Sequence, residues 1–248
     1  MIQVLMPMAG AGSRFKDFHQ FPKPLIPVFE QPMFYWNCKL LQKYIKEVSF
    51  TFVVLKSHVE SYQIDQKIKE IIPSANICII PKLTEGALET AHACREQLDL
   101  ESPLLITDCD LCFLAPEFFD FLNRGLFEAA AGALVSFESD LPRYSYAKLE
   151  NNQVVKTAEK EVISNNALIG SYFFSKTRSF LEAAGDILSR KEKTRNEYYI
   201  APLYNDLIKK GQVIRLFSNS TFYSFGAPDE LNSSKEKIKE MLVTEGLI

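Results

Sequence analysis

Apolar residues along the chain follow two alternating rhythms. Runs rich in β-branched and aromatic residues at Ile2 to Met8, Phe50 to Leu55, Ile77 to Ile80, Leu104 to Thr107 and Ala133 to Phe137 read as buried strands. Between them the spacing turns helical over Met33 to Tyr44, Val59 to Ile71, Leu88 to Leu98 and Pro116 to Phe127. Strand and helix alternating in this way predict an α/β, Rossmann-like, mostly parallel sheet with flanking helices. Sites in such open sheets lie beyond the carboxyl ends of the strands, which directs attention to residues 9–24, 81–87 and 108–112.

After about residue 140 the rhythm changes. "YSYAKLENNQVVK" reads as a hairpin turning at Asn151-Asn152, "ALIGSYFFS" as a further strand and Lys176 to Leu188 as a helix, so a small mixed-β insertion is expected on the second half of the sheet. Glu230 to Leu247 reads as an amphipathic helix with Pro228 near its start. No Pro/Gly/Ser-rich linker and no internal repeat divides the chain. The expectation is one domain over 1–248, with a first half 1–137, a second half 138–230 and a C-terminal helix 231–248.

Composition narrows the functional classes. With 248 residues, 47% of them hydrophobic, there is ample material for a core. The formal net charge is −3 without a long single-sign run, so the electrostatic footprint of a nucleic-acid binder is missing and any anionic ligand must be held locally. The N-terminus opens a strand without a basic region and apolar signal core, and no run approaches the roughly 20 apolar residues of a membrane span, which points to the cytoplasm. Five cysteines, an odd number, fit a reducing compartment. Cys109 and Cys112 form C-x-x-C, but without a second pair or a flanking histidine they read as strand-end thiols rather than a metal site. His19, His58 and His92 lie apart with no metal-like spacing.

The most pointed stretch is "PMAGAGSRF", directly behind the first strand. A dinucleotide loop needs a third glycine where Phe15 stands, and a Walker loop needs a lysine after Gly12; both templates fail. What remains suits phosphate nonetheless. Gly10 and Gly12 let backbone N–H groups from Ala9 onward converge as an anion nest, Ser13 adds a hydroxyl and Arg14 a planar fork. Lys23 follows between Pro22 and Pro24, and with Pro27 these prolines favour an extended, stiff path. Further on, "LLITDCDLCF" sets Asp108 and Asp110 at the end of a strand, where two like charges are costly unless a cation compensates them. Hard oxygen ligands, few in number, suit Mg2+, which takes the rest of its shell from water and substrate phosphates.

A strand, G-x-G-[ST]-R-[FLM] and then P-K-P-[LM] resemble the N-terminal signature of the nucleotidyltransferases that make sugar nucleotides, the nucleotide-sugar pyrophosphorylases. The resemblance runs from Ile2 to Leu231 and is strongest over the first 110 residues. It implies the nucleotide-diphospho-sugar transferase fold, a nucleotide-binding first half and an acceptor-binding second half. It implies that the loop of Ala9, Gly10, Gly12, Ser13 and Arg14 wraps a nucleoside triphosphate, that Lys23 sits on its phosphates, and that Asp110, with Asp108 beside it, ligates Mg2+. "PKLTEGALETAHA" resembles the base-contacting segment and assigns Thr84 and Gly86 to it. "TAEKEVISNNALIGSYFFS" resembles the E-K element, in which Lys160 meets the acceptor phosphate beside Glu159 and Gly170; taken alone, an E-K dipeptide is a solvated surface. "RNEYYIAPLYNDLIKKG" resembles a segment bordering the acceptor, assigning Glu197 and Tyr198, although a core stripe of Tyr199, Leu203 and Leu207 explains much of its pattern.

One position departs from the family. A second metal-ligating aspartate before a C-terminal G-T-P is Ser224 in "FYSFGAPDEL", and Ala227 replaces the threonine, which puts a second metal in question. The implied reaction is attack by an acceptor phosphate on the α-phosphorus of a nucleoside triphosphate, with release of pyrophosphate, catalysed by Arg14, Lys23, Asp110 and Lys160. The loop variant resembles a subgroup from bacterial capsule and surface-polysaccharide genes, which implies CTP as donor and a small phosphorylated acceptor, phosphoglutamine or a sugar 1-phosphate. A glycosyltransferase sharing the D-x-D and a non-catalytic nucleotide sensor are the competing readings. Homo-oligomerisation is left open.

Overall fold

The computed structural model describes residues 1–127 and 129–248. In chain order the elements are β1 (Ile2–Pro7), β2 (Pro27–Val28), β3 (Gln31–Pro32), α1 (Met33–Tyr44), β4 (Val48–Leu55), α2 (Lys56–Tyr62), α3 (Ile64–Ile71), β5 (Asn76–Ile80), α4 (Ala87–His92), β6 (Leu104–Thr107) and β7 (Leu111–Leu114). There follow α5 (Pro116–Arg124), β8 (Gly132–Glu138), β9 (Ser145–Glu150), β10 (Gln153–Glu159), β11 (Asn166–Phe174), α6 (Thr177–Arg190), α7 (Tyr204–Lys209), β12 (Ile214–Ser218), β13 (Thr221–Ser224) and α8 (Pro228–Thr244).

β1 is apolar along its length because it lies inside the sheet, between β4 and β6 and parallel to both. β5 extends this parallel block beyond β4. On the other side β11 runs antiparallel to β6 through Ser171–Phe174, and β8 and β12 continue the sheet from the far side of β11. The β9–β10 hairpin takes over beside β11 where β6 has ended, meeting it at Ala167 and Tyr146. Its turn is Asn151-Asn152, with φ of 50° and 61°, the left-handed pair that a two-residue hairpin loop requires.

Both faces of the sheet are covered. Phe34, Phe52, Phe113, Phe118 and Phe173 fill one side, and Leu88, Phe174, Phe180 and Tyr204 fill the other. A third cluster, with Trp36, Phe225, Ile238 and Leu242, packs α8 against α1 and so closes the C-terminus over the first half of the chain. Among the described residues no helix is long and apolar enough to cross a membrane.

Several expectations are corrected. The helix expected over Val59 to Ile71 breaks at Gln63, whose φ of 52° ends α2 and opens α3. That expected over Leu88 to Leu98 stops at His92 and resumes only as a 3-10 turn over Arg95–Gln97. Lys23–Leu25, expected to be extended, tightens into another 3-10 turn, since Pro24 has no N–H to lose in a first turn and its fixed φ suits one. The small β7–β13 sheet and β12 carried no signal strong enough to be read; β7 and β13 are four residues each.

Candidate active site

The glycine loop leaves β1 at Pro7 and is anchored at its two ends. Met8 N–H donates to the Val53 carbonyl at 2.8 Å, and Phe15 is buried in the cluster that also holds Trp36 and Phe225. Phe15, where a dinucleotide loop has its third glycine, is thus the peg that keeps this loop from running into a helix. Ala9 is buried beneath the loop, while Gly10 stands open, with no atom within 4 Å of the place a Cβ would take. Gly12, at φ 60°, caps the 3-10 turn Ser13–Phe15 and lies against Lys23, whose Cβ is 3.2 Å from the position of a Cβ on Gly12. Arg14 reaches across the cleft to donate to the Gly226 carbonyl at 3.3 Å.

The acidic pair is set by the end of β6. Asp108 N–H donates to the Gly170 carbonyl at 3.0 Å. A Cβ on Gly170, whose φ is 88°, would lie 2.5 Å from a carboxylate oxygen of Asp108; only glycine lets the strand pass this close. From α1, the buried Asn37 donates to the Asp108 carbonyl at 2.8 Å and to Thr107 Oγ1 at 3.1 Å, and Thr107 Oγ1 is 2.7 Å from Ser171 Oγ. Two residues on, Asp110 Oδ2 lies 2.5 Å from the Lys23 ammonium. Burial opposes the charge on Lys23, yet the Asp110 carboxylate, with Cys109 and Asp108 behind it, outweighs that and lifts its pKa above the ordinary lysine value. Burial and the adjacent Asp110 carboxylate push Asp108 up to about 7, against the opposing charge of Lys23.

The second half contributes the opposite wall. Glu159, at the end of β10, accepts a hydrogen bond from the Ser145 hydroxyl, and burial raises its pKa. Lys160 follows at φ 54°, with its N–H on the Tyr144 carbonyl at 2.9 Å and its ammonium donating to the Tyr199 hydroxyl. At the Thr84–Leu88 end of the cleft, a Cβ on Gly86 would lie 2.3 Å from the Tyr198 carbonyl oxygen. The bare backbone of Gly86, at φ 145°, is therefore occupied by the chain itself; Thr84 Oγ1 bonds the Gly86 carbonyl at 3.2 Å from the adjacent position.

All the nucleotide, acceptor and metal candidates named from the sequence except Tyr198 line one cleft of about 620 Å³. Tyr198 is 5% exposed and packs with the core cluster under the sheet, because its backbone, not its ring, is the part facing Gly86. Its neighbour Tyr199, expected in a core stripe, faces the cleft instead. Two further cleft residues, Arg143 and Ser224, converge on Glu230 in the first turn of α8: Arg143 lies 3.0 Å from Glu230 Oε1, and the Ser224 hydroxyl donates to Oε2 at 2.8 Å. The carboxylate absent at position 224 thus has a counterpart nearby in Glu230, and the only sequence trace of it was an acidic residue opening an amphipathic helix. Cys109 and Cys112 are buried free thiols.

Two hard carboxylates end a strand beside an open cleft; one is paired with a lysine, and burial together with the adjacent Asp110 charge raises the pKa of the other, so a cation at the pair would relieve both penalties. That donor set fits Mg2+.

No protein-family model and no curated protein matches the chain. Solved structures do. The nucleoside-diphosphate-sugar pyrophosphorylase from Vibrio cholerae RC9 is 27% identical with a TM-score of 0.79, over 95% of this chain and 100% of that one. A UDP-glucose pyrophosphorylase complexed with UDP-glucose is 16% identical, with a TM-score of 0.77 over 97% and 100% of the two chains. The inositol-1-phosphate CTP transferase from T. maritima is 15% identical, with a TM-score of 0.76 over 97% and 96%. The last two establish likeness of fold.

Proposed function

We propose, for a chain that is a nucleotidyltransferase of the nucleotide-sugar pyrophosphorylase kind, that it transfers CMP from CTP to a small phosphorylated acceptor and releases pyrophosphate. The observation that carries this reading is the position of Lys23, packed on Gly12 of the glycine loop and 2.5 Å from Asp110. A cation so placed touches both the cradle for a triphosphate and the carboxylate that would hold its metal.

The chemistry asks little of the protein beyond charge and alignment. An ionised acceptor phosphate is already a nucleophile; its oxygen forms a bond to the α-phosphorus as the bond from that phosphorus to the bridging β-phosphate oxygen breaks, and the electron pair leaves with pyrophosphate. No general base is required, in keeping with a cleft that none of the three histidines lines. The backbone of Gly10 and Gly12, with Ser13, holds the triphosphate, while Arg14 and Lys23 stabilise the charge gathering on the departing pyrophosphate. Lys160, on the opposite wall, aims the acceptor phosphate. Asp110 and Asp108 would hold Mg2+, which supplies charge neutralisation at the α-phosphate when bound. Thr84 borders the base, with Gly86 backed by the Tyr198 main chain behind it.

The acceptor's remote end would face Glu159 and Glu197. Carboxylates there suit an ammonium or a row of hydroxyls, so phosphoglutamine and a sugar 1-phosphate are the two candidates. The resemblance of "PMAGAGSRF...FPKPLIPV" to capsule and surface-polysaccharide genes supports CTP as donor, phosphoglutamine as acceptor and a role in the cytoplasmic steps of that synthesis.

The test is pyrophosphate release with Mg2+ for four nucleoside triphosphates against a panel of phosphosugars and phosphorylated amino acids. Release with CTP and phosphoglutamine is expected. Release with sugar 1-phosphates alone moves the assignment to sugar nucleotides, and consumption of a nucleotide sugar without pyrophosphate makes the chain a glycosyltransferase. Triphosphate binding without turnover across the whole matrix makes it a sensor.

A further inference from the structure

The segment Thr194–Tyr199 touches both walls of the cleft. Thr194 and Glu197 bond each other through their backbones at 3.0 Å in both directions, closing a two-residue turn in which Arg195 and Asn196 have φ of 48° and 71°. Toward the base side, Tyr198 N–H donates to the Glu85 carbonyl at 2.8 Å and the Tyr198 carbonyl accepts from Leu88 N–H at 3.0 Å, around the close approach of Gly86. Toward the acceptor side, Arg195 Nη2 donates to the Lys160 carbonyl at 2.9 Å, and the Lys160 ammonium sits on Tyr199, bonded to its hydroxyl and 4.6 Å from the ring centroid.

Lys160 is held in a conformation it would not choose. A lysine at φ 54° is strained, and such residues persist only where their surroundings over-determine them. Here the surroundings are Tyr144 on its N–H, Arg195 on its carbonyl and Tyr199 on its ammonium. Arg195 itself is exposed and does not line the cleft. Its guanidinium bonds the lysine's backbone carbonyl, and its charge also reaches the neighbouring Glu159 carboxylate.

We propose that Arg195 and Tyr199 are positioning residues for Lys160, and that the Thr194–Tyr199 segment transmits occupancy of the Thr84–Leu88 loop to that lysine. The proposal rests on the nucleotide reading above. A two-residue turn has little slack, so ordering the loop fixes Tyr198, and with it the adjacent Tyr199 and the Arg195 bond. A bound nucleotide thereby prepares the acceptor's cation before the acceptor arrives.

Hydrogen exchange of the full chain with Mg2+ and each of the four α,β-methylene nucleoside triphosphates tests this without knowledge of the acceptor. In the wild type, the nucleotide that slows exchange at 84–88 should also slow it at 158–162, by about fivefold or more. Arg195→Ala should keep the first protection and lose the second, and Arg195→Lys, which retains a donor, should restore part of it. Persistence of the 158–162 protection in Arg195→Ala overturns the proposal, as does a wild type in which 84–88 responds and 158–162 does not. Absence of protection at 84–88 with all four nucleotides overturns the nucleotide reading, and this proposal with it. With the acceptor found by pyrophosphate release, Tyr199→Phe should raise the acceptor KM and leave the nucleotide KM unchanged; an equal rise in both counts against a role through Lys160.

Discussion

The Lys23 ammonium and the Asp110 carboxylate are 2.5 Å apart, both largely buried, in a chain whose described residues carry no other ion pair between the glycine loop's far limb and the β6 terminus. Such a pair is a functional resource as much as a structural one, since removing either partner strands a charge. Lys23→Ala and Asp110→Asn should each lower turnover by about 100-fold or more, as for loss of a preorganised charge contact. The double variant should cost much less than the sum, because the two act as a unit. Pyrophosphate release decides it; single variants within twofold of wild type would remove both from the machinery.

In the proposed reaction Arg14 is a separate handle on the leaving group. Arg14→Ala should also cost about 100-fold in turnover, while leaving stability nearly unchanged because the side chain makes one 3.3 Å bond to a carbonyl. A thermal melt alongside the rate measurement separates the two effects.

Two glycines should behave oppositely. Gly86→Ala forces a Cβ to 2.3 Å from the Tyr198 carbonyl oxygen and should destabilise the chain by about 3 kcal/mol in urea unfolding. Gly10→Ala meets nothing within 4 Å and should change stability by less than about 0.5 kcal/mol, yet raise the nucleotide KM by crowding the nest. Equal stability of the two variants would contradict the close approach of the Tyr198 backbone.

Asp108 gives the protein a pH dependence of definite sign. Its folded pKa of about 7 lies above the ordinary aspartate value, so the fold prefers it protonated. The stability this contributes is present in full below about pH 4 and is lost as pH rises to about 7, on the order of 4 kcal/mol. In metal-free buffer, Asp108→Asn should therefore gain on the wild type in Tm between pH 5 and pH 8. A Tm difference that stays flat across that range would refute the assignment.

Asn37 is buried on α1, and its Oδ1 has no partner among the described residues. The cost of that orphan makes sense only if its amide is needed at the Asp108 carbonyl. Asn37→Leu should lose about 1–3 kcal/mol and depress turnover together, by releasing the turn that carries Asp110. A more stable variant with full activity would show the amide to be dispensable.

The parallel block was legible because its strands are apolar end to end and its helices carry a clear stripe; Ile2 to Met8 and Met33 to Tyr44 each matched to within a residue. Gln63 was illegible, since no propensity announces a left-handed glutamine in the middle of a periodic run. That Gly12, Arg14, Lys23 and Asp110 come together in one cleft could be read from residue types, because they have few other uses at such spacings. Tyr199 and Glu230 could not. Which of two adjacent tyrosines faces the cleft depends on the backbone turning at Arg195-Asn196, and the importance of Glu230 depends on Arg143 and Ser224 arriving from distant segments.

β11 pairs with β6 through Ser171–Phe174 and with the β9–β10 hairpin only at Ala167 and Tyr146. One strand thus belongs to two neighbourhoods, and they hardly share residues. The hairpin that carries Glu159 and Lys160 is tied instead through Thr157 to Ala201 and Asn205, so a change in it bears on that segment rather than on the register that fixes Asp108 and Asp110. A scaffold divided in this way can keep one leaving group while changing, lineage by lineage, the molecule that receives the nucleotide.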